Sequence, residues 1–263
     1  MPGAARHRRI FVPVLGALAL LAWMTLWLWA RSPYGRYLDH GDALLAGPGA
    51  GLCRAIPGGS PVLQAVLYAL SWTLMIMAMM LPTTLSLFST VERIVAGRPD
   101  RMRVLWLLVL GYVAMWSAFG LLAHGLHTLL LNGFSRVPMM LGYGWLIGAV
   151  TLAGAGAFQF SKLKHRCLEQ CRTPLSFVIG HWRGRAPGRE AFALGLRHGL
   201  FCVGCCWALM LLMFVVGAGS LGWMLVLACV MAVEKNISWG QRLSTPLGGA
   251  LLTWSALLVA THS

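Results

Sequence analysis

The chain is 263 residues long, 58% hydrophobic and only 11% charged, with a formal net charge of +14. A soluble domain of that length is nearer one quarter charged, so the composition excludes an ordinary soluble fold. The basic excess is spread over several loops and shows no concentrated face with base-reading or stacking groups, which argues against a nucleic-acid partner.

Crossing a bilayer takes about 20 residues of helix, because backbone polar groups must be satisfied within the segment. Apolar stretches near 10–30, 62–89, 104–131, 138–160, 199–216, 220–235 and 247–260 meet or approach that length. They predict an all-α polytopic transmembrane helix bundle of about seven spans, six being the alternative count, in one integral membrane domain over 1–263. The first stretch is long for the apolar core of a signal peptide, and no small-x-small site precedes Ser32, so it is expected to remain as an anchor. In the second, Pro82 is expected to kink the helix and free carbonyls. The sixth is short; it is expected to begin within the Gly217–Ser220 turn and to end with Lys235 snorkelling to the interface. The last could instead be re-entrant. The loop Arg31–Pro61 is rich in Gly and Pro and holds no evident domain, and there is no internal repeat.

The basic residues alternate from loop to loop. Sixteen fall before the first span or between spans two and three, four and five, and six and seven; the other loops hold Arg31, Arg36, Arg54 and Arg136, and Arg197 lies near a helix end. This positive-inside pattern puts the N-terminus and the stretch Phe158–Phe192 in the cytoplasm. Such a chain belongs in a bacterial cytoplasmic (inner) membrane, with the lipid bilayer as its first partner.

The seven cysteines are unevenly placed. Cys53 alone falls on the outer side and is expected to take no part in function. The others lie near the cytoplasmic, reducing half, where thiols stay free to act as ligands. Cys202, Cys205 and Cys206 share a helical face with His198 one turn earlier and with Met210 and Met213 beyond. Gly195, Gly199 and Gly204 would let another helix approach closely. Single Cys or Met residues are ordinary apolar filler; three thiols in five residues, extended by His and Met, point to soft-metal coordination. Cys167 and Cys171 form a second pair at i, i+4 in a basic stretch, where palmitoylation or simple packing is an equal reading. Met75, Met79 and other methionines of the second span are mostly core, with one or two thioethers available to a site. His124 and His127 read as a metal pair or, more simply, as interhelical hydrogen bonding. Glu234 and Lys235 read as a snorkelling inner-face pair, although acids within spans are often functional.

Three stretches together resemble a bacterial family of predicted metal-binding integral membrane proteins, some of whose members are described as copper chaperones. Trp72 to Pro82 resembles its Met-rich helix. Phe158 to Pro174 resembles its Gln-Lys-Cys-Cys-Arg-Pro loop. Gly199 to Phe214, continuing to Glu234-Lys235, resembles its Cys-rich helix pair. The resemblance spans roughly residues 70–245 and implies Cys167, Cys171, Cys202, Cys205 and Cys206 as metal residues. The turn Gly217–Ser220 departs from the family in lacking a Met.

Thiolates with thioethers select Cu(I), whereas Zn(II) prefers Cys and His and makes little use of Met. The sequence therefore predicts a copper-handling protein, not an enzyme, that binds Cu(I) through Cys202, Cys205, Cys206, Cys167, Cys171, His198 and Met210. It would act as a membrane chaperone or transfer protein with a copper-donating or copper-accepting partner. The alternatives are a transmembrane thiol–disulfide carrier using Cys202 and Cys205, with Cys229 or Cys167 as the second reactive site, and an assembly subunit whose Cys and Met only pack.

Overall fold

A computed structural model describes residues 11–31, 61–135, 144–213 and 221–262, without the side chains of 61–68, 127, 128, 130–135 and 144. Cys53 and the Gly217–Ser220 turn lie outside these residues, as does the His127 side chain. All regular structure among the described residues is helical. In chain order the helices are α1 (Phe11–Arg31), α2 (Pro61–Met79), α3 (Leu85–Ile94), α4 (Arg101–Ser135), α5 (Gly144–Phe158), α6 (Lys162–Arg172), α7 (Pro174–His181), α8 (Pro187–Leu211), α9 (Leu221–Asn236) and α10 (Ser244–His262).

Four helical segments are long and apolar enough to cross a bilayer: Phe11–Arg31, Arg101–Leu126, Pro187–Leu211 and Gly240–His262. The bent pairs α2 with Pro82–Ile94 and α5 with α6 raise the number to six. Of the sixth expected span the described residues hold the 16 of α9. The outside of the bundle is apolar, with Leu122 at 71% and Ile179 at 68% exposure, while Lys164, His198, Glu234 and Lys235 are buried. That inverts the arrangement of a soluble protein.

The core follows from small residues at helix contacts. The central pair is α4 against α8. A Cβ at Gly195 would run into the Leu108 carbonyl, and one at Gly199 would stand 2.8 Å from Met115 Cβ. Gly111 of α4 meets the backbone of Phe192 in the same way. A second pair joins α5 to α10, where Gly156 faces Gly248 and Leu252, and Ser255 Oγ donates to the Ala149 carbonyl at 2.8 Å. The first helix buries Phe11, Leu15, Ala19, Ala22 and Leu26 on one face. It is tied to α2 by Trp23 Nε1 donating to the Ala78 carbonyl at 3.0 Å.

Two breaks shape the site. The chain bends by 48° where α2 meets Pro82, as the proline predicted. Thr83 Oγ1 donates to the Met80 carbonyl at 2.8 Å and Thr84 Oγ1 to the Leu81 carbonyl at 2.9 Å, while the Ala78 carbonyl, which loses its helical donor to Pro82, is the one that Trp23 satisfies. The second bend, of 64°, separates α5 from α6. Ser161 caps α6, accepting from the Lys164 amide at 3.1 Å, and α6 turns back onto α8 and α9.

Three expectations need correction. The fifth span begins at Pro187 rather than Gly199. Proline is favoured in a first helical turn, and Arg189, Glu190 and Arg197 interrupt the apolar run without interrupting the helix. Arg197 therefore sits in mid-helix, exposed, and not near a helix end. Lys235 does not snorkel: it is 5% exposed and reaches inward. Lys164, one of the basic residues counted between the fourth and fifth spans, lies on α6 and is fully buried.

The α4–α8 contact is testable. Gly195→Leu should drive the two backbones apart and cost about 1–3 kcal/mol, as overpacking does. The loss should register as a lowered thermal unfolding midpoint in detergent. Gly249→Leu is the control, since nothing lies within 4 Å of a Cβ built there.

Candidate metal centre

The thiol cluster is built from two helices. On α8, the face carrying Leu194, Gly195, His198, Gly199, Cys202, Cys205, Cys206, Leu209 and Met210 is buried, so the stripe read from the sequence is the face turned into the bundle. On α6, Cys167, Leu168 and Cys171 are buried one turn apart. The sulfur of Cys167 fills the notch at Gly204, where a Cβ would stand 2.7 Å from it. Cys171 lies against both Cys202 and Cys205. The five thiols named from sequence are thus brought together, none more than 8% exposed.

Cys202 is the centre of the arrangement. Its carbonyl accepts from Cys205 Sγ at 3.1 Å and from Cys206 Sγ at 2.7 Å. Its own sulfur lies 3.0 Å from Lys235 Nζ and 3.1 Å from the Tyr112 hydroxyl. Lys235 Nζ also reaches Thr83 Oγ1 at 3.3 Å and Met80 Sδ at 3.6 Å. The bend at Pro82 therefore brings one thioether to the edge of the cluster, and it is Met80 that stands there.

His198 is 1% exposed, with its ring between Tyr112 and Phe177 at centroid distances of 6.0 and 5.4 Å. Its Nδ1 and Trp116 Nε1 are buried without a hydrogen-bond partner among the described residues. Met210 lies on the same face about 12 Å along the helix from Cys202, at 1.5 Å per residue. His124 lies in α4, half-buried. Cys229, considered as a relay partner, is exposed on α9, in contrast to the buried cluster.

Five thiols, a thioether and a free imidazole nitrogen form a soft donor set that suits Cu(I). Among the described residues, no three His, Cys, Asp or Glu side chains have donor atoms already converged on one point fit for a metal ion. The thiols are instead engaged with the Cys202 carbonyl and the Lys235 ammonium, so binding requires rotation of their side chains.

An ion pair holds α6 in place. Lys164 Nζ lies 2.6 Å from Glu234 Oε1, with the two side chains 0% and 2% exposed. Lys164 also donates to Gln159 Oε1, and Ser244 Oγ donates to Glu234 Oε1 at 2.7 Å. Arg172 donates to the Glu234 carbonyl and, at 2.9 Å, to the Ser238 carbonyl. Gln159, Lys164, Arg172 and Glu234 therefore form the clamp that sets the thiols of α6 against α8. Sequence reasoning missed Tyr112, Thr83 and the inward reach of Lys235. A tyrosine in the middle of an apolar span was the available signal for the first; nothing local indicated the other two.

A family model described as PpoB2, copper chaperone, matches residues 69–258. That segment contains all five clustered thiols, Met80, Tyr112, Lys235 and the clamp. No curated protein and no solved structure compared with the chain matches it.

Removing one partner of a buried ion pair leaves the other charge uncompensated. Glu234→Ala should destabilise the protein by about 3–5 kcal/mol. The double variant Lys164→Met/Glu234→Met should recover most of that loss, as judged from thermal unfolding of the purified proteins.

Proposed function

Because the chain belongs to the PpoB2 family of copper chaperones, we propose that it is an integral membrane protein that carries Cu(I) on buried cysteines of α6 and α8. The single observation that supports this most is the meeting of Cys167 and Cys171 with Cys202, Cys205 and Cys206 inside the bundle. Sulfur donors matched to a soft monovalent ion favour Cu(I) over Zn(II). Copper is the cargo here, received from one protein and passed to another, and the chain acts as no enzyme. Cys202 is the principal ligand, because it touches Cys171 of α6 and both other thiols of α8, and its sulfur also stands beside Lys235 and Tyr112. His198 and Met210 extend the donor stripe on either side.

The distribution of basic residues among the loops supports an orientation with the N-terminus and α6 at the cytoplasmic face of a bacterial inner membrane. Copper then reaches the thiols from the reducing side, where they remain unpaired.

Anaerobic titration against a competing Cu(I) chelator tests the site. Wild type should hold stoichiometric Cu(I), Cys202→Ala should hold none, and Cys205→Ala or Cys206→Ala should be weakened less. Undiminished affinity in Cys202→Ala would reject the site, and a wild type that retains only zinc would reject the metal.

Orientation is tested separately at Arg166, which is exposed on α6 immediately before the buried Cys167. Arg166→Cys, in a chain with Cys53 and Cys229 replaced by Ala, should react with a membrane-impermeant maleimide in inside-out vesicles. Reaction in intact cells instead would reverse the topology.

A further inference from the structure

Lys235 follows Glu234 on α9, and adjacent helical residues diverge by about 100°. The carboxylate turns to Lys164 and Ser244, and the ammonium turns to the thiol cluster. Around Lys235 Nζ stand Cys202 Sγ, Thr83 Oγ1 and Met80 Sδ, at 3.0, 3.3 and 3.6 Å. Cys205, Cys206, Tyr112 and His198 are the other ionisable groups that face it. None of these is a carboxylate. The ion pairs among the described residues join Lys164 to Glu234 and Arg98 to Asp100, so Glu234, the nearest acid in sequence, is already committed. A buried ammonium is strongly disfavoured unless an anion pairs with it, and beside this one the groups able to become anionic are thiols and a phenol rather than a carboxylate. The architecture keeps one at the centre of the thiols nonetheless.

A Cu(I) ion held by two cysteines supplies the missing anion. Two thiols give up their protons to solvent, two Cu–S bonds form, and copper stays monovalent. One positive ion with two thiolates leaves one net negative charge, in a place that water does not reach. We propose that Lys235 is the fixed counter-charge of the copper site: its ammonium neutralises the dithiolate–Cu(I) complex that Cys202 forms with a neighbouring thiol. This rests on the Cu(I) reading given above.

Lys235 is a positioning residue and not a ligand, since an ammonium offers three donors and no acceptor. Thr83 and Met80 hold it in register, and the Tyr112 hydroxyl, 3.1 Å from the same sulfur, shares in solvating the charge. Neutrality then discriminates among ions. A divalent ion on the same two thiolates leaves one positive charge uncompensated, and a third thiolate on Cu(I) leaves a negative one. The lysine thus favours a monovalent ion in a two-thiolate centre.

The experiment uses the full chain in detergent, with Cu(I) affinity measured anaerobically against a chromogenic chelator. Wild type is compared with Lys235→Arg, Lys235→Met and Lys235→Gln. Methionine matches lysine in length and apolar stem, whereas arginine is bulkier but keeps the charge. Lys235→Arg should stay within a few-fold of wild type, and Lys235→Met should bind Cu(I) about a hundredfold more weakly. In competition, the Met variant should also shift toward Zn(II) relative to Cu(I), a change that a packing defect does not produce. If Lys235→Met fails to fold, Lys235→Gln takes its place, keeping a donor for Thr83 without the charge. An uncharged variant that binds Cu(I) as well as Lys235→Arg does would overturn the inference and leave the copper reading standing. A wild type that binds no Cu(I) overturns both.

Discussion

Lys164 of α6 and Glu234 of α9 meet in the interior, where neither has water to solvate it, and the placement of the thiols depends on that meeting. Taken alone, α6 is a strongly amphipathic helix with basic residues on its outer side. Its apolar face is only Leu168 and the two cysteines, too small to hold it against the bundle by hydrophobic burial. The ion pair, with Gln159, Ser244 and Arg172 satisfying the remaining donors and acceptors, fixes its position. A buried pair of this kind contributes less to net stability than to geometry, because desolvation offsets most of the attraction. What it specifies here is register: once Lys164 is docked, Cys167 falls into the notch at Gly204 and Cys171 falls against Cys202.

The remaining supports follow from close approach. Glycines on α4 and α8 bring the two backbones together at the level of Tyr112 and Gly199, which sets the tyrosine hydroxyl against Cys202. The break at Pro82 leaves Met80 and Thr83 on the far side of the same pocket. Each departure from regular helix near the site is therefore matched by a polar or sulfur group directed at the cluster. The Ala78 carbonyl, which loses its helical donor to the proline, accepts from Trp23 Nε1, and the Thr83 and Thr84 hydroxyls add donors to the Met80 and Leu81 carbonyls of the bend.

Two lysines are buried close together, yet they play opposite parts. Lys164 has a carboxylate, a carbonyl oxygen and an N-cap to anchor it, and its charge is spent in architecture. The hydrogen-bond contacts of Lys235 are with sulfur and hydroxyl groups, none of them a carboxylate. The one-residue step from Glu234 to Lys235 along α9 separates the structural charge pair from the unbalanced cation, because neighbouring residues on a helix cannot face the same way.

Much of this was legible in the chain itself. Apolar run lengths give an all-helical bundle, Pro82 gives the bend, and the 3.6-residue period puts Cys202, Cys205 and Cys206 with His198 and Met210 on one face. The i, i+4 spacing gives Cys167 and Cys171 a shared face as well. Those are local properties, set by backbone geometry and by the solvent each segment tolerates. The start of α8 at Pro187 was hidden because charged residues in its first turns imitate a loop. The burial of Lys164 and Lys235 was hidden for a deeper reason: whether a cation snorkels to the interface or turns inward depends on partners 70 and 33 residues away. Sequence fixes what each helix face offers, but only packing decides which faces meet, and the free energy of a buried charge depends wholly on what it meets.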